Sequence, residues 1–408
     1  MKINLIRLSN SLDPNATFKK EDDRFIEDLN NELFDDDIEL VSDETKSPFS
    51  MILIETGGSE QHFVKIEKDL PRPIILISTC KNNSLPACLE IKTYLSSRGE
   101  DPILLFGDEK ELASTIKDVS RILSAKEVID NATLGVIGKP SDWLIASVVD
   151  YKKVKEKFNI NLIDITTLEL KIEIDKGILD NIPRLDLLKK IAKDDQYFDG
   201  ALKIYSGLKR IVEKYHLKGL TIRCFDLIQE YQNTACLALA MLNDEGIIGT
   251  CEGDIPSLLT MFFVKAASGL ASFQANPSKI NLRDSSILFA HCTIPMSICK
   301  DVKFMTHFES GLGIGIRGEL EKRDISIVKL CPDLENALYV TGDIIKNETL
   351  PNYCRTQIEV KLNDERDLLN FIREDFGNHV IIAYGNIVPE FVNVLHYYNQ
   401  LYKKNTKE

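Results

Sequence analysis

Glu252 and Asp254 stand two residues apart in Cys251-Glu252-Gly253-Asp254, directly after the apolar run Ile247–Thr250. Two carboxylates at the end of a strand can hold a divalent cation or exchange protons. In an open α/β sheet that edge is where ligands bind. Asp254 can equally be a plain helix N-cap, with Pro256 early in the helix that follows. Of six histidines, two stand at element ends, where a ring can face a cleft. His291 follows Ile287-Leu288-Phe289-Ala290, and His379 lies in Gly377-Asn378-His379 before another apolar run. Each can also be a packing residue. His62 and His396 fall in helical patterns, and His307, in His307-Phe308-Glu309-Ser310-Gly311, lies between the two kinds. Cys224, Cys236, Cys251 and Cys292 cluster in the same stretch, either as soft-metal thiolates or as small buried hydrophobes.

These residues need elements to hold them. The first third alternates strand and helix signals: Met1–Leu8, Met51–Ile54, Pro73–Ser78 and Pro102–Phe106 read as strands. Phe25, Leu29 and Leu33, four apart, make one helix face, and the acidic run Asp35-Asp36-Asp37 reads as a solvated end. Strands separated by helices mean βαβ units and a parallel sheet. A second series starts near Thr133, with strands at Leu134–Gly138, Ile160–Ile165, Gly219–Phe225 and Ile247–Thr250. A helix is expected over Trp143–Val149, capped by Ser141 or Asp142. The last third changes to alternation. Ile314–Leu320 and Asp324–Leu330 flank Glu321-Lys322-Arg323 and predict an antiparallel hairpin. Strand signals at Leu338–Thr341 and Gln357–Val360 follow, and a closing helix carries Phe391, Leu395 and Tyr398 on one face. The expected fold is α/β: two Rossmann-like parallel-sheet domains, 1–130 and 131–295, then a β-barrel-like domain, 296–408. Met261-Phe262-Phe263-Val264 makes a helix apolar on all sides, which needs cover from its own domain or from a second subunit.

Composition narrows the function. The 408 residues carry 50 Lys+Arg against 63 Asp+Glu, a formal charge of −13, which argues against nucleic acid as the main partner. The longest apolar stretch, Ile255–Phe273, contains Pro256 and Lys265 and reads as a core helix, not a membrane span. Nine cysteines, with no Cys-x-x-Cys pair and no secretory signal, point to a reducing cytoplasm. Gly313-x-Gly315-x-x-Gly318 has dinucleotide spacing but lies in the predicted hairpin, with no helix opening after it. Gly138-Lys139-Pro140 has proline where a P-loop needs Ser or Thr. No Gly-x-Ser-x-Gly elbow occurs.

The motifs Leu242-Asn243-Asp244-Glu245-Gly246, Cys251-Glu252-Gly253-Asp254, Phe289-Ala290-His291-Cys292, His307–Gly311, Gly377-Asn378-His379 and Tyr384-Gly385 come in an order that resembles the L-fucose isomerase and L-arabinose isomerase superfamily. The likeness is greatest to its shorter "fucose isomerase-like" members, which Gly138–Ser147 also suits. It covers the last two thirds of the chain. The resemblance implies an aldose–ketose isomerase or epimerase in which a divalent metal of the manganese type binds the sugar's O1 and O2. A carboxylate then moves a proton between C1 and C2 through an enediol. It further implies Glu252, Asp254, His291 and His379 as metal ligands, with Glu252 and then Asp254 as the base. Ser141, Trp143, Asn276, His307 and Glu309 are expected to contact the sugar. The implied partners are a small sugar and further copies of the chain, in a homotrimer or homohexamer. One departure stands out. Where the arabinose branch has its second catalytic carboxylate, this chain reads Phe273-Gln274-Ala275-Asn276, and where the fucose branch has it, Cys236 or a neighbour stands. Glu230, Glu309 or the second of Glu252/Asp254 could replace it. Without a replacement, the chemistry would be that of a lyase, or the chain a non-catalytic sugar-binding protein.

Overall fold

The computed structural model describes residues 2–10, 17–36, 38–42 and 49–405. Met1 and Asp37, which entered the strand and acidic-run expectations, lie outside them. The chain divides into two compact units, Met1–Glu127 and Val128–Glu408.

The first unit is one parallel sheet. Its strands are β1 (Lys2–Leu8), β2 (Glu39–Val41), β3 (Ser50–Ile54), β4 (Ile74–Ser78) and β5 (Ile103–Phe106), in the order β2-β1-β3-β4-β5. β3 and β4 are buried along their whole length, as central strands covered on both faces must be. Phe25, Leu29 and Leu33 are buried, so the acidic helix Thr17–Leu33 turns its apolar face inward as its four-residue spacing requires.

The second unit opens with another parallel sheet. β6 (Thr133–Ile137), β7 (Asn161–Ile165), β8 (Gly219–Ile222) and β9 (Ile248–Cys251) run in the order β7-β6-β8-β9. Eight strands follow: β10 (Ser272–Asn281), β11 (Ser286–His291), β12 (Asp301–Met305), β13 (Gly315–Glu319), β14 (Asp324–Leu330), β15 (Ala337–Asn347), β16 (Thr356–Leu362) and β17 (Val380–Tyr384). Six of them close an antiparallel barrel in the order β10-β11-β16-β15-β14-β17, and β17 pairs back onto β10. The barrel thus takes its first two strands from residues 272–291. The predicted α/β architecture with a terminal barrel is what the structure has.

Three local expectations come out differently. β13 and β14 do not pair with each other: β13 pairs with β12, and β14 lies between β15 and β17. Residues 325–330 of β14 are all buried, so it needs two neighbours, and Glu321–Arg323 is only the corner between two sheets. Residues 143–149 form turns, not a helix. The helix begins at Tyr151, because Asp150 is its N-cap and accepts the Lys152 N–H. The apolar run Met261–Val264 finds its cover inside its own unit: Phe263 meets Phe158 and Tyr398 at ring distances of 4.9 and 5.8 Å. No helix among the described residues is long and apolar enough to cross a membrane.

Candidate active site

The C-terminal edge of the second parallel sheet builds one wall of the site. At the end of β9 the chain turns through two successive left-handed residues, Glu252 (φ 66) and Gly253 (φ 72). A Cβ on Gly253 would come within 2.6 Å of the Lys139 carbonyl oxygen and 2.7 Å of Pro140 Cα, so only glycine fits there. The Ser141 N–H donates to the Glu252 carbonyl (2.8 Å), and the Gly253 N–H to the Ile222 carbonyl (2.9 Å). The ends of β6, β8 and β9 are thereby tied into one turn that presents the Glu252 side chain. Trp143 Nε1 donates to Glu252 Oε2 at 2.6 Å. Its ring meets Phe225 edge-on at 4.8 Å, and Phe225 meets His307 at 5.5 Å.

The barrel supplies the opposite wall. β10 lies between β11 and β17, with Asn276 opposite Ala290 and Ala275 opposite Val380. His291 ends β11 and His379 immediately precedes β17, so this register brings both residues to the middle of β10, beside Ala275 and Asn276. Their ring centroids lie 5.5 Å apart. His379 Nε2 stands 3.6 Å from Glu252 Oε1, an ionic contact longer than a hydrogen bond.

Glu252, His291 and His379 place one ligand atom each within 4.8 Å of one another, the one group of three or more potential ligands at metal spacing among the described residues. The donor set fits a cation. His379 Nε2 is buried without a hydrogen-bond partner, while Nδ1 of the same ring contacts Asp254 Oδ2 at 2.8 Å. An imidazole anchored through one nitrogen with the other left bare has the arrangement of a metal ligand. For His291 the fit has a condition. Its Nδ1 accepts the Thr293 N–H at 3.2 Å, so the proton of the neutral ring sits on Nε2. Ligation through Nε2 requires that bond to be released, at a cost of about 1 kcal/mol.

Asp254 stands behind the group. It caps the helix Ile255–Ser268, and its Oδ1 accepts the Ser257 N–H at 2.7 Å. Both oxygens contact Lys329 Nζ, at 3.2 and 3.1 Å. The N-cap alternative describes its backbone role, and its remaining acceptor capacity is committed to Lys329 and His379.

The electrostatics divide the ionisable groups. Burial opposes the charge on Glu252, but His379, then His291 and the Trp143 N–H, hold its carboxyl down at about 2. Burial likewise opposes a charged His379, yet Asp254 and Glu252 raise it to about 9 in the metal-free protein. Burial, then the neighbouring His379 charge, drives His291 down to about 3. Burial and then the Glu252 charge push Glu309 up from its ordinary value.

A cavity of about 410 Å³ opens against Glu252, His291 and Glu309, while His379 and Asp254 are fully buried and are not among its lining residues. Of the residues expected from sequence, Trp143, Glu252, Asn276, His291, His307 and Glu309 line it. Ser141 is buried and contributes its backbone N–H to the Glu252 turn. Glu230 pairs with Lys171 at 2.6 Å and is not among the lining residues. Cys236, Cys251, Cys292 and Cys354 lie in the wall, but no three thiols converge as ligands among the described residues. Sequence reasoning missed Phe225, Tyr353, Asn378 and Lys329. For Lys329 a signal existed: a lone lysine inside the apolar run Ile325–Leu330.

The site can be set beside known proteins. No family model matches the chain. Among curated proteins, the sulfoquinovose isomerase of Alkalicoccus urumqiensis is 20% identical over 335 residues, covering 78% of this chain and 75% of its own length. These relatives support a sugar isomerase. The sulfoquinovose isomerase of Priestia aryabhattai is 18% identical over 367 residues, covering 83% of this chain and 81% of its own. That of Clostridium sp. (strain MSTE9) is 23% identical over 237 residues, 55% and 52% of the two chains. They bear out the sugar-isomerase part of the resemblance at the level of enzyme class.

Proposed function

We propose that the chain is a metal-dependent aldose–ketose isomerase of the L-fucose/L-arabinose isomerase type. The observation that carries this reading is the convergence of Glu252, His291 and His379 on one point at a cavity that also holds Glu309. Glu252 and His379, with His291 once its Thr293 bond is released, would hold a divalent ion of the manganese class, which suits mixed carboxylate and imidazole donors. Such an ion would polarise the oxygens on the sugar's C1 and C2 and stabilise negative charge on them.

The chain's own residues divide the remaining work. Glu252, held low and engaged on both oxygens, is a ligand and a poor proton carrier. Glu309, raised by burial and by Glu252, has the more suitable carboxyl for taking a proton from one carbon and returning it to the next. In this reading Glu309 serves as the second carboxylate, which favours isomerisation over a lyase. Trp143 and Phe225 offer an apolar face to a sugar ring, and Asn276 and His307 offer polar contacts. Asp254 acts on His379, not on the cation.

Sulfoquinovose, the sugar in the relatives' name, is the first substrate to test. The charge of −13 supports a small molecule over nucleic acid as partner, and the nine free thiols suit the cytoplasm. A homotrimer or homohexamer rests on the resemblance alone, and light scattering tests it. Protein purified without chelator should carry a divalent metal and interconvert an aldose and its ketose in a panel that includes sulfoquinovose. Glu252→Ala and His379→Ala should abolish metal retention with the fold intact. Metal binding as tight as the parent's in both variants would overturn the site.

A further inference from the structure

Lys329 lies near the end of barrel strand β14 with its side chain 1% exposed. A buried ammonium is expensive to desolvate, and Ile325 and Ile327, on the same face of the strand, show what the barrel wall otherwise accepts there. Helix capping does not call for it, since the Ser257 N–H already satisfies that role of Asp254. Its three donors are all placed: Nζ lies 3.2 Å from Asp254 Oδ1, 3.1 Å from Oδ2, and also contacts Ser257 Oγ. A cation bridging both oxygens fixes the rotation of the carboxylate plane, and in this rotation Oδ2 faces His379 Nδ1 at 2.8 Å. With Nδ1 so engaged, the ring has one orientation, and the unpartnered Nε2 is turned toward Glu252.

We propose that Lys329 is a positioning residue of the candidate metal site: by clamping both oxygens of Asp254 it sets Oδ2 against His379 Nδ1 and so aims His379 Nε2 at the point shared with Glu252 and His291. The inference rests on the metal reading for its functional meaning, but the clamp itself is a property of the metal-free protein. Lys329 touches neither the cation nor the sugar.

The test compares Lys329→Met, Asp254→Asn and the double variant with the parent, each checked for fold by near-UV circular dichroism. Manganese ion alone is the titrant in calorimetry. Proton NMR of the metal-free proteins follows the His379 Nδ1–H resonance, assigned by its loss in His379→Gln. Lys329→Met should weaken manganese binding about 10- to 100-fold and displace or broaden that resonance. Because Lys329 acts through Asp254, the double variant should bind manganese no more weakly than Asp254→Asn. Where Lys329→Met does not fold, this last pair decides, since the double variant removes both buried charges together. Manganese affinity within twofold of the parent with an unchanged resonance in Lys329→Met would overturn the clamp, as would a further loss on the Asp254→Asn background. If the parent itself binds no divalent ion, the metal reading fails; the resonance then decides on the clamp alone, displacement in Lys329→Met supporting it and no change refuting it.

Discussion

The two parallel sheets each carry a strand that ends in an acid and turns through glycine into a helix. In the first unit β3 runs into Glu55-Thr56-Gly57-Gly58-Ser59, and in the second β9 runs into Glu252-Gly253-Asp254. Their carboxylates have different surroundings. Glu55 meets Arg7 Nε at 2.5 Å from the neighbouring strand, Thr56 Oγ1 accepts the Asn10 N–H at 2.7 Å, and Ser59 Oγ donates to the Thr56 carbonyl at 2.8 Å. Arg7 stays charged at any working pH and is shared between Glu55 and Asp23, so Glu55 has a fixed cationic partner that cannot change state. Glu252 faces two imidazoles brought by the barrel, groups that can lose a proton and accept a cation instead. A strand-end carboxylate is structural when its own sheet supplies an arginine. It becomes available for chemistry when a second layer supplies partners that can change state.

The sharpest way to break this comparison is to remove proton transfer while leaving the ligands. On the proposed division of roles, Glu309→Gln lowers turnover about 100-fold or more and keeps metal affinity near the parent's. Glu252→Gln loses both. A Glu309→Gln enzyme that exchanges solvent deuterium into C1 or C2 of the substrate at the parental rate would assign the proton to another group.

Next in size is the converse variant in the first unit. Glu55→Gln breaks a charged hydrogen bond beside a half-buried arginine and should cost about 1–3 kcal/mol of stability, read by denaturant melting, with kcat per folded molecule unchanged. A drop in kcat that matches Glu252→Gln would erase the distinction between the two turns.

Protons should separate the units as well. In the first unit, burial and the Glu55 charge raise Asp22 to about 6. A group raised on folding stabilises while protonated, so this contribution is complete below the ordinary value of 3.8 and is lost as pH climbs through about 6. His379 obeys the same sign in a higher window: in metal-free protein its contribution is complete below 6.5 and lost through about 9. Trp143, the single tryptophan, reports the second unit by fluorescence. Its melting temperature in chelator should fall between pH 6.5 and 9, and the fall should vanish in His379→Gln. A flat profile in the parent would contradict the ion contacts of His379.

The smallest effect expected is that of Trp143→Phe. It keeps the edge contact with Phe225 and removes the 2.6 Å bond to Glu252. Trp143 is 51% exposed, so water replaces part of the loss, and the change should be worth about 1 kcal/mol, or roughly fivefold in metal affinity. Titration with manganese ion measures it. No change at all would mean that Glu252 is oriented by its backbone turn alone.

Much of the site was legible before any fold was known. Glu252, His291 and His379 are unusual residue types at the ends of apolar runs, and a strand end is a place where period-two burial stops and a side chain can face a cleft. Asp254 was legible as a helix N-cap or a ligand but not as a residue that orients one, since what separates those last two is where its two oxygens point. Lys329 was in view as part of a strand but carried no sign of a partner 75 residues earlier. The hairpin expected around Glu321–Arg323 failed for a related reason: alternation identifies strands, while pairing depends on how many neighbours a strand must have to be buried.

The amino-acid order by itself determined what is local. Apolar runs set the strands of both sheets, Asp150 and Asp254 set helix starts, and Gly253 made the turn at Glu252 possible, because each of these depends on contacts within a few residues. Only the tertiary structure decided that Glu252 would meet His291 and His379, that Glu309 would enter the same cavity, and that Lys329 would hold Asp254. Those contacts span from tens of residues to more than a hundred along the chain. They exist because barrel closure places β17 beside β10, and ring closure is a property of the whole set of strands that no short segment encodes.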